Sequence, residues 1–317
     1  MITIALNNYI NIDPKYYLNR YIFPIQNNSL TFEEFKDILV FCSKGSQIAL
    51  NIVGGEPTLH PDFQKMLIEL NKYCLDNDTY VFIHTNGTNL EQYLAYIGDR
   101  IYIVVDYITT ETQNIDYFEE QKKFLDRAYN LSWFDNKCFM QFNLYPELEN
   151  DDFIWECVKT YKLKQIQLSI AMPSDEQVKN KIAYYHQMKD ILTKVCYNAI
   201  QNQCKVILLE NYNVPFCFLT EEQYAIISQA TGIIKLEDMD MPNMEIVIYP
   251  DLKTSIPTKH SMAVDYTLFD NPKQLIEYIS HEIFYPTLVQ NRRELCSSCQ
   301  RAALYKCQGG NLKFANV

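Results

Sequence analysis

The residues with the clearest chemical potential stand near the C-terminal end of the chain. Cys296-Ser297-Ser298-Cys299 is followed, after seven intervening residues, by Cys307-Gln308-Gly309-Gly310. A C-x-x-C turn sets two sulfurs beside one metal and leaves backbone N–H groups free to bond them. The glycine pair permits a tight turn behind the third sulfur. Cys217, after Pro215-Phe216, is the natural fourth thiolate, so that Cys217, Cys296, Cys299 and Cys307 make one Cys₄ set. Four thiolates accept either a [4Fe–4S] cluster or Zn²⁺, and the spacing leaves both open. The other six cysteines, Cys42, Cys74, Cys138, Cys157, Cys196 and Cys204, stand singly in predicted helices or strands. They read as small buried apolar residues.

A second constellation lies in Val53-Gly54-Gly55-Glu56-Pro57-Thr58-Leu59-His60-Pro61. It closes a predicted strand and opens a helix, the edge at which parallel sheets hold ligands. Paired glycines let another molecule come close to the backbone. Glu56 is suited to accept hydrogen bonds from a ligand ammonium group. His84-Thr85-Asn86-Gly87-Thr88 repeats the arrangement after the next strand. Asn86-Gly87 is a common turn pair, and two polar turns on adjacent strand ends weigh more than one. His60 and His84 belong to these turns and are candidates to line one cavity.

The elements that would position these turns alternate. Strands are predicted at Ile2–Leu6, Ile48–Val53, Tyr80–His84, Ile101–Asp106, Phe139–Leu144 and Ile166–Ile170, several of them apolar almost throughout. Helices are predicted from the Thr31/Glu34 capping box to Phe41, then at Asp62–Cys74, Leu90–Ile97, Tyr117–Tyr129, Asp152–Tyr161 and Asp175–Gln203. Six strand–helix units argue for an α/β fold, a partial (β/α)₆ TIM-type barrel over residues 1–205. Residues 206–317 read as a smaller cysteine-rich α+β module. It holds strands at Val206–Leu209 and Glu245–Tyr249, a turn at Tyr249–Lys253, and helices near Glu221–Gln229 and Pro272–Ile283. The net charge of −11 speaks against a general nucleic-acid binder. No apolar run reaches the ~20 residues of a membrane helix. The first residues read as a strand and not as a signal peptide, which with the clustered cysteines predicts a cytoplasmic protein.

The Gly54–Pro61 turn, the helix before its strand, and Thr85-Asn86-Gly87-Thr88 together resemble the radical SAM superfamily. The likeness covers about residues 1–205 in order and spacing. It implies a partial (β/α)₆ barrel that binds S-adenosylmethionine (SAM) through Gly54, Gly55, Glu56, Thr85 and Asn86. The C-terminal cysteines and the strand-turn at Met244–Lys253 resemble the auxiliary-cluster module, of SPASM or twitch type, that follows many such barrels. This implies that the Cys₄ set holds one [4Fe–4S] cluster, with Zn²⁺ as the alternative. The sequence departs from the family at one decisive place. After the first strand the family carries C-x-x-x-C-x-x-C, three thiolates for the cluster that cleaves SAM. Here Leu6–Tyr17 holds no cysteine, and the first in the chain is Cys42. The fourth strand also ends Val104-Val105-Asp106, where the family often places a serine.

Two functions follow from the resemblance. The first is a degenerate radical SAM-like iron–sulfur protein, a pseudoenzyme without autonomous SAM cleavage. It would serve as accessory or scaffold subunit to an intact radical SAM enzyme in peptide maturation. The alternative is an active SAM-binding enzyme of the radical SAM/SPASM type that modifies a peptide, or a zinc-stabilised interaction protein.

Overall fold

The computed structural model describes residues 2–10, 29–45, 48–107, 115–170, 180–209, 216–232, 245–256 and 263–286. In chain order the described elements are β1 (Ile2–Ala5), α1 (Phe32–Ser43), β2 (Leu50–Val53), α2 (Phe63–Asp76), β3 (Val81–Thr85), β4 (Ile101–Asp106) and α3 (Ile115–Asn130). Then follow β5 (Cys138–Leu144), α4 (Asp152–Tyr161), β6 (Gln165–Ile170), α5 (Lys181–Gln201), β7 (Lys205–Leu208) and α6 (Glu221–Thr231). The last are β8 (Ile246–Ile248), β9 (Lys253–Ser255), β10 (Val264–Asp265) and α7 (Pro272–Ile279). The chain divides into two compact units. The first draws on Met1–Phe139, Glu245–Pro257 and Ser261–Ile283, the second on Met140–Met244, Thr258–His260 and Phe284–Val317.

In the first unit the strand order is β10-β9-β8-β1-β2-β3-β4. Pairing is parallel from β8 to β4 and antiparallel in β8–β9 and β9–β10. The register is set by one row of isoleucines: Ile248, Ile4, Ile52, Ile83 and Ile103 pair across five strands and are all fully buried. A slip of one residue would bring Thr3, Asn51 and Phe82 into that row, so the apolar pattern fixes the pairing. α1 buries Phe35 and Ile38, and α2 buries Phe63, Met66, Leu67 and Leu70. The Thr31/Glu34 capping box starts α1 as expected.

In the second unit β5, β6 and β7 pair in parallel. Asp151, buried before α4, accepts from Trp155 Nε1 (2.6 Å) and Asn198 Nδ2 (2.7 Å) and pairs with Lys194 Nζ (3.1 Å), tying α4 to α5.

Parallel strands with crossover helices are the expected α/β class, a partial (β/α)₆ barrel followed by a smaller C-terminal region. Two predicted helices differ in kind. Leu90–Tyr96 is a 3₁₀ helix of seven residues, a short connection of the kind in which the tighter i→i+3 bonding is common. α7 ends at Ile279 and passes into a π-helical turn at Ser280–Phe284. The helix predicted from Asp175 begins at Lys181, and residues 171–179 lie outside the described ones.

Candidate functional site

The turn after β2 and the turn after β3 meet through one carboxylate. Glu56 is fully buried. Its Oε1 accepts from Thr58 N (3.1 Å), Thr58 Oγ1 (2.6 Å) and Thr85 Oγ1 (2.6 Å), and its Oε2 from Asn86 N (2.8 Å). Burial pushes the carboxyl pKa up, and the four donors of Thr58, Thr85 and Asn86 pull it back. All four partners donate here, and two of them, Thr58 N and Asn86 N, can only donate, so they favour the carboxylate against the upward push of burial. The structure therefore brings Glu56, Thr85 and Asn86 together. It spends the Glu56 oxygens on the chain itself, where the sequence suggested an acceptor facing a ligand.

The β3 turn is braced from within. Asn86 Oδ1 accepts from Thr88 N (3.0 Å) and Thr88 Oγ1 (2.8 Å), and Gly87 N donates to Thr85 Oγ1 (3.0 Å). Gly87 has φ +79°, a backbone region that favours glycine. From α3, Gln121 Nε2 donates to the carbonyls of Asn86 (2.7 Å) and Asp106 (2.8 Å), locking this turn to the end of β4. Nothing in the sequence marks Gln121, one polar residue among many on α3.

The glycine pair is approached by the chain itself. Gly55 N donates to Asn7 O (2.8 Å) and Glu56 N to Tyr9 O (2.6 Å). Asn7, fully buried, donates from Nδ2 to Glu56 O (3.1 Å) and accepts from Tyr9 N (3.0 Å). A Cβ on Gly55 would collide with the Tyr9 carbonyl. The loop after β1 thus lies against the Gly-Gly-Glu turn, an arrangement that the absence of cysteines in Leu6–Tyr17 did not foretell. The donors here do not fit an iron–sulfur cluster. They are amides and backbone carbonyls, already bonded, and no thiolate stands in the first 41 residues.

His60 is structural. Its Nδ1 accepts from Asp62 N (3.1 Å), so the proton sits on Nε2 and is donated to Leu30 O (2.7 Å). Burial lowers its pKa. His84, half-buried on β3, is held neutral by desolvation of its ring, its pKa lowered to about 4.

Cys217 lies exposed in a 3₁₀ turn, Phe216–Phe218. Cys296, Cys299 and Cys307 lie outside the described residues. Among the described residues no group of three or more His, Cys, Asp or Glu could hold a metal. The six single cysteines are all buried, as expected. Desolvation pushes the thiols of Cys42, Cys196 and Cys204 up to about 12, so they carry no thiolate at neutral pH. No described helix is long and apolar enough to cross a membrane.

The profile of the Radical SAM superfamily matches residues 17–157. No curated protein matches the sequence. Among solved structures, Streptococcus suis SuiB bound to S-adenosylmethionine is 15% identical over 98% of this chain and 72% of that one, with a TM-score of 0.63. SuiB bound to its precursor peptide SuiA is similar at 13% identity, again over 98% of this chain and 71% of that one, TM-score 0.63. Native anSMEcpe with bound AdoMet and a peptide is 13% identical over 98% of this chain and 88% of that one, TM-score 0.64. The chain shares the fold of these proteins, and its residues 17–157 match the radical SAM superfamily.

Proposed function

We propose that this chain serves peptide modification of the radical SAM/SPASM type and that it does not form the adenosyl radical on its own. The peptide half of the reading is supported by the comparisons: SuiB and anSMEcpe are each seen with a peptide and with SAM. These neighbours favour a SAM-binding enzyme that acts on a peptide. The second half is carried by one observation. Where the family needs three thiolates, this chain has Asn7 and Tyr9 bonded to Gly55 and Glu56. Radical generation then falls to a separate, intact radical SAM enzyme, and this chain supplies a peptide-binding fold and one C-terminal metal site at Cys217, Cys296, Cys299 and Cys307. That site is read as [4Fe–4S], with Zn²⁺ as alternative, within a module over residues 206–317. SAM contact, if retained by Gly54, Gly55, Thr85 and Asn86, runs through their backbone, since the Glu56 side chain is fully buried and bonded within the chain.

The experiment is anaerobic incubation of the full chain with SAM and dithionite, reading 5′-deoxyadenosine. No product above background is expected. Cleavage of SAM by the isolated chain would establish the active-enzyme reading instead.

A further inference from the structure

The buried stripe of α3 is Gln121, Phe124, Leu125 and Ala128, at i, i+3, i+4 and i+7. Gln121 is its one polar member and is fully buried. An amide in a core position has to be satisfied there, and the two hydrogens of Nε2 go to two different strand ends. The pairing of β3 with β4 ends at Thr85 and Val105. One residue further, Gln121 Nε2 donates to Asn86 O (2.7 Å) and to Asp106 O (2.8 Å), so a side chain of the helix makes the next rung between the two strands. Asn86 is held from its other side as well, its N–H donating to Glu56 Oε2 (2.8 Å). Glu56, Asn86, Gln121 and Asp106 thus form one hydrogen-bonded line across the C-terminal ends of β2, β3 and β4. Phe124, one helical turn on, closes against the same turn: a Cβ on Gly87 would stand 3.1 Å from its ring.

We propose that Gln121 is a positioning residue for SAM. It sets the separation of the β3 and β4 ends, and with it the geometry in which Thr85 and Asn86 present their backbone to the ligand. The chemistry of the bridge selects an amide. A hydroxyl has one donor and would meet one carbonyl, an apolar side chain would leave both unmet in the core, and an amide nitrogen supplies two donors without a charge. Ligands of open parallel sheets bind beyond the carboxyl ends of the strands, where the ladder no longer fixes the chain. A turn free to move there would have to be ordered on binding, at a cost in affinity that the bridge removes beforehand. This role rests on the SAM contact proposed above; the bridge itself does not.

The test is calorimetric titration of the full chain with SAM across about pH 5–8, for the parent, Gln121→Met and Gln121→Glu, with urea unfolding alongside. Gln121→Met keeps the length and loses both donors, and should bind SAM about tenfold more weakly at every pH. Gln121→Glu adds a pH signature. Its protonated carboxyl keeps one O–H for one carbonyl, while its carboxylate sets acceptors against both. Burial beside two carbonyls raises its pKa above the ~4.3 of an exposed Glu, so its SAM affinity should fall relative to the parent's as pH rises through that raised value. Glu56, His84 and Asp106 on the three strands, and Glu120 and Lys122 beside residue 121 on α3, titrate in parent and variant alike, so the difference between the profiles belongs to residue 121. Should Gln121→Met fold poorly, Gln121→Glu at the acid end, with one bond kept, carries the comparison. A merely structural bond would lower the urea midpoint and leave the affinity of the folded chain unchanged. Equal SAM affinity in the folded variants, or parallel pH profiles for Gln121→Glu and parent, therefore overturns the proposal and leaves the proposed function standing. A parent that binds no SAM sinks the SAM contact of the proposed function, and the role of Gln121 with it.

Discussion

Removing the Glu56 carboxylate should destabilise the first unit far more than removing a solvent-facing ligand group would. In Glu56→Ala two buried backbone donors, Thr58 N and Asn86 N, lose their acceptor, and so do the hydroxyls of Thr58 and Thr85. A buried donor left unmet costs about 1–3 kcal/mol, while hydroxyls can rotate toward other acceptors. The loss is therefore about 2–6 kcal/mol, a large part of the 5–15 kcal/mol typical of a domain. Glu56→Gln is the sharper probe. Its carbonyl oxygen can take the place of Oε1, but its NH₂ then faces Asn86 N–H, donor against donor, at a cost of about 1–3 kcal/mol. The assay is urea unfolding followed by circular dichroism, with midpoint and slope compared across the full chain and both variants. If Glu56→Gln leaves the midpoint unchanged, the carboxylate is not the internal tie described, and the reasoning that withdraws it from ligand binding fails.

Gly55→Ala should cost about 1–3 kcal/mol, because its Cβ meets the backbone carbonyl of Tyr9 and the loop after β1 must shift; a melting temperature equal to the parent's would show that the loop does not lie there. His84 is neutral in the fold, with a pKa lowered to about 4 against 6.5 when exposed. Its contribution is complete above pH 6.5 and drains away as pH falls toward 4, by about 2–3 kcal/mol. His84→Gln should therefore flatten the pH dependence of stability over that window, and an identical pH profile for variant and parent would refute the shift. Anaerobically prepared protein should hold iron and sulfide for at most one cluster, about four of each; a count near eight would require a second site. Cys299→Ala should release the metal and loosen the turn at Cys217 and α6 in hydrogen exchange, while β1–β4 and the strands β8–β10 joined to them keep their protection. Unchanged protection after metal loss would separate the cysteines from that folding role.

Much of the architecture was legible because it is local. The apolar runs of β1 and β2, the Thr31/Glu34 box and the Gly-Gly-Glu-Pro punctuation each act over a few residues, so β1, β2 and α1 can be read within a residue or two. The alternation of β5 and β6 was equally present in the sequence, as a period of two, and it marks a polar face that a reading of the strands as apolar throughout passes over. The missing N-terminal thiolates are likewise a fact of the sequence alone, since no fold can supply a sulfur the chain lacks. What the sequence could not determine depends on contacts between distant residues. That Ile246–Ile248 pairs with β1 rests on matching a row of isoleucines drawn from five strands. That Glu56 turns inward depends on Thr85 and Asn86 arriving about thirty residues later in the chain. A carboxylate's partners are chosen by distance in space, and only tertiary structure sets whether it meets solvent, a ligand or its own backbone.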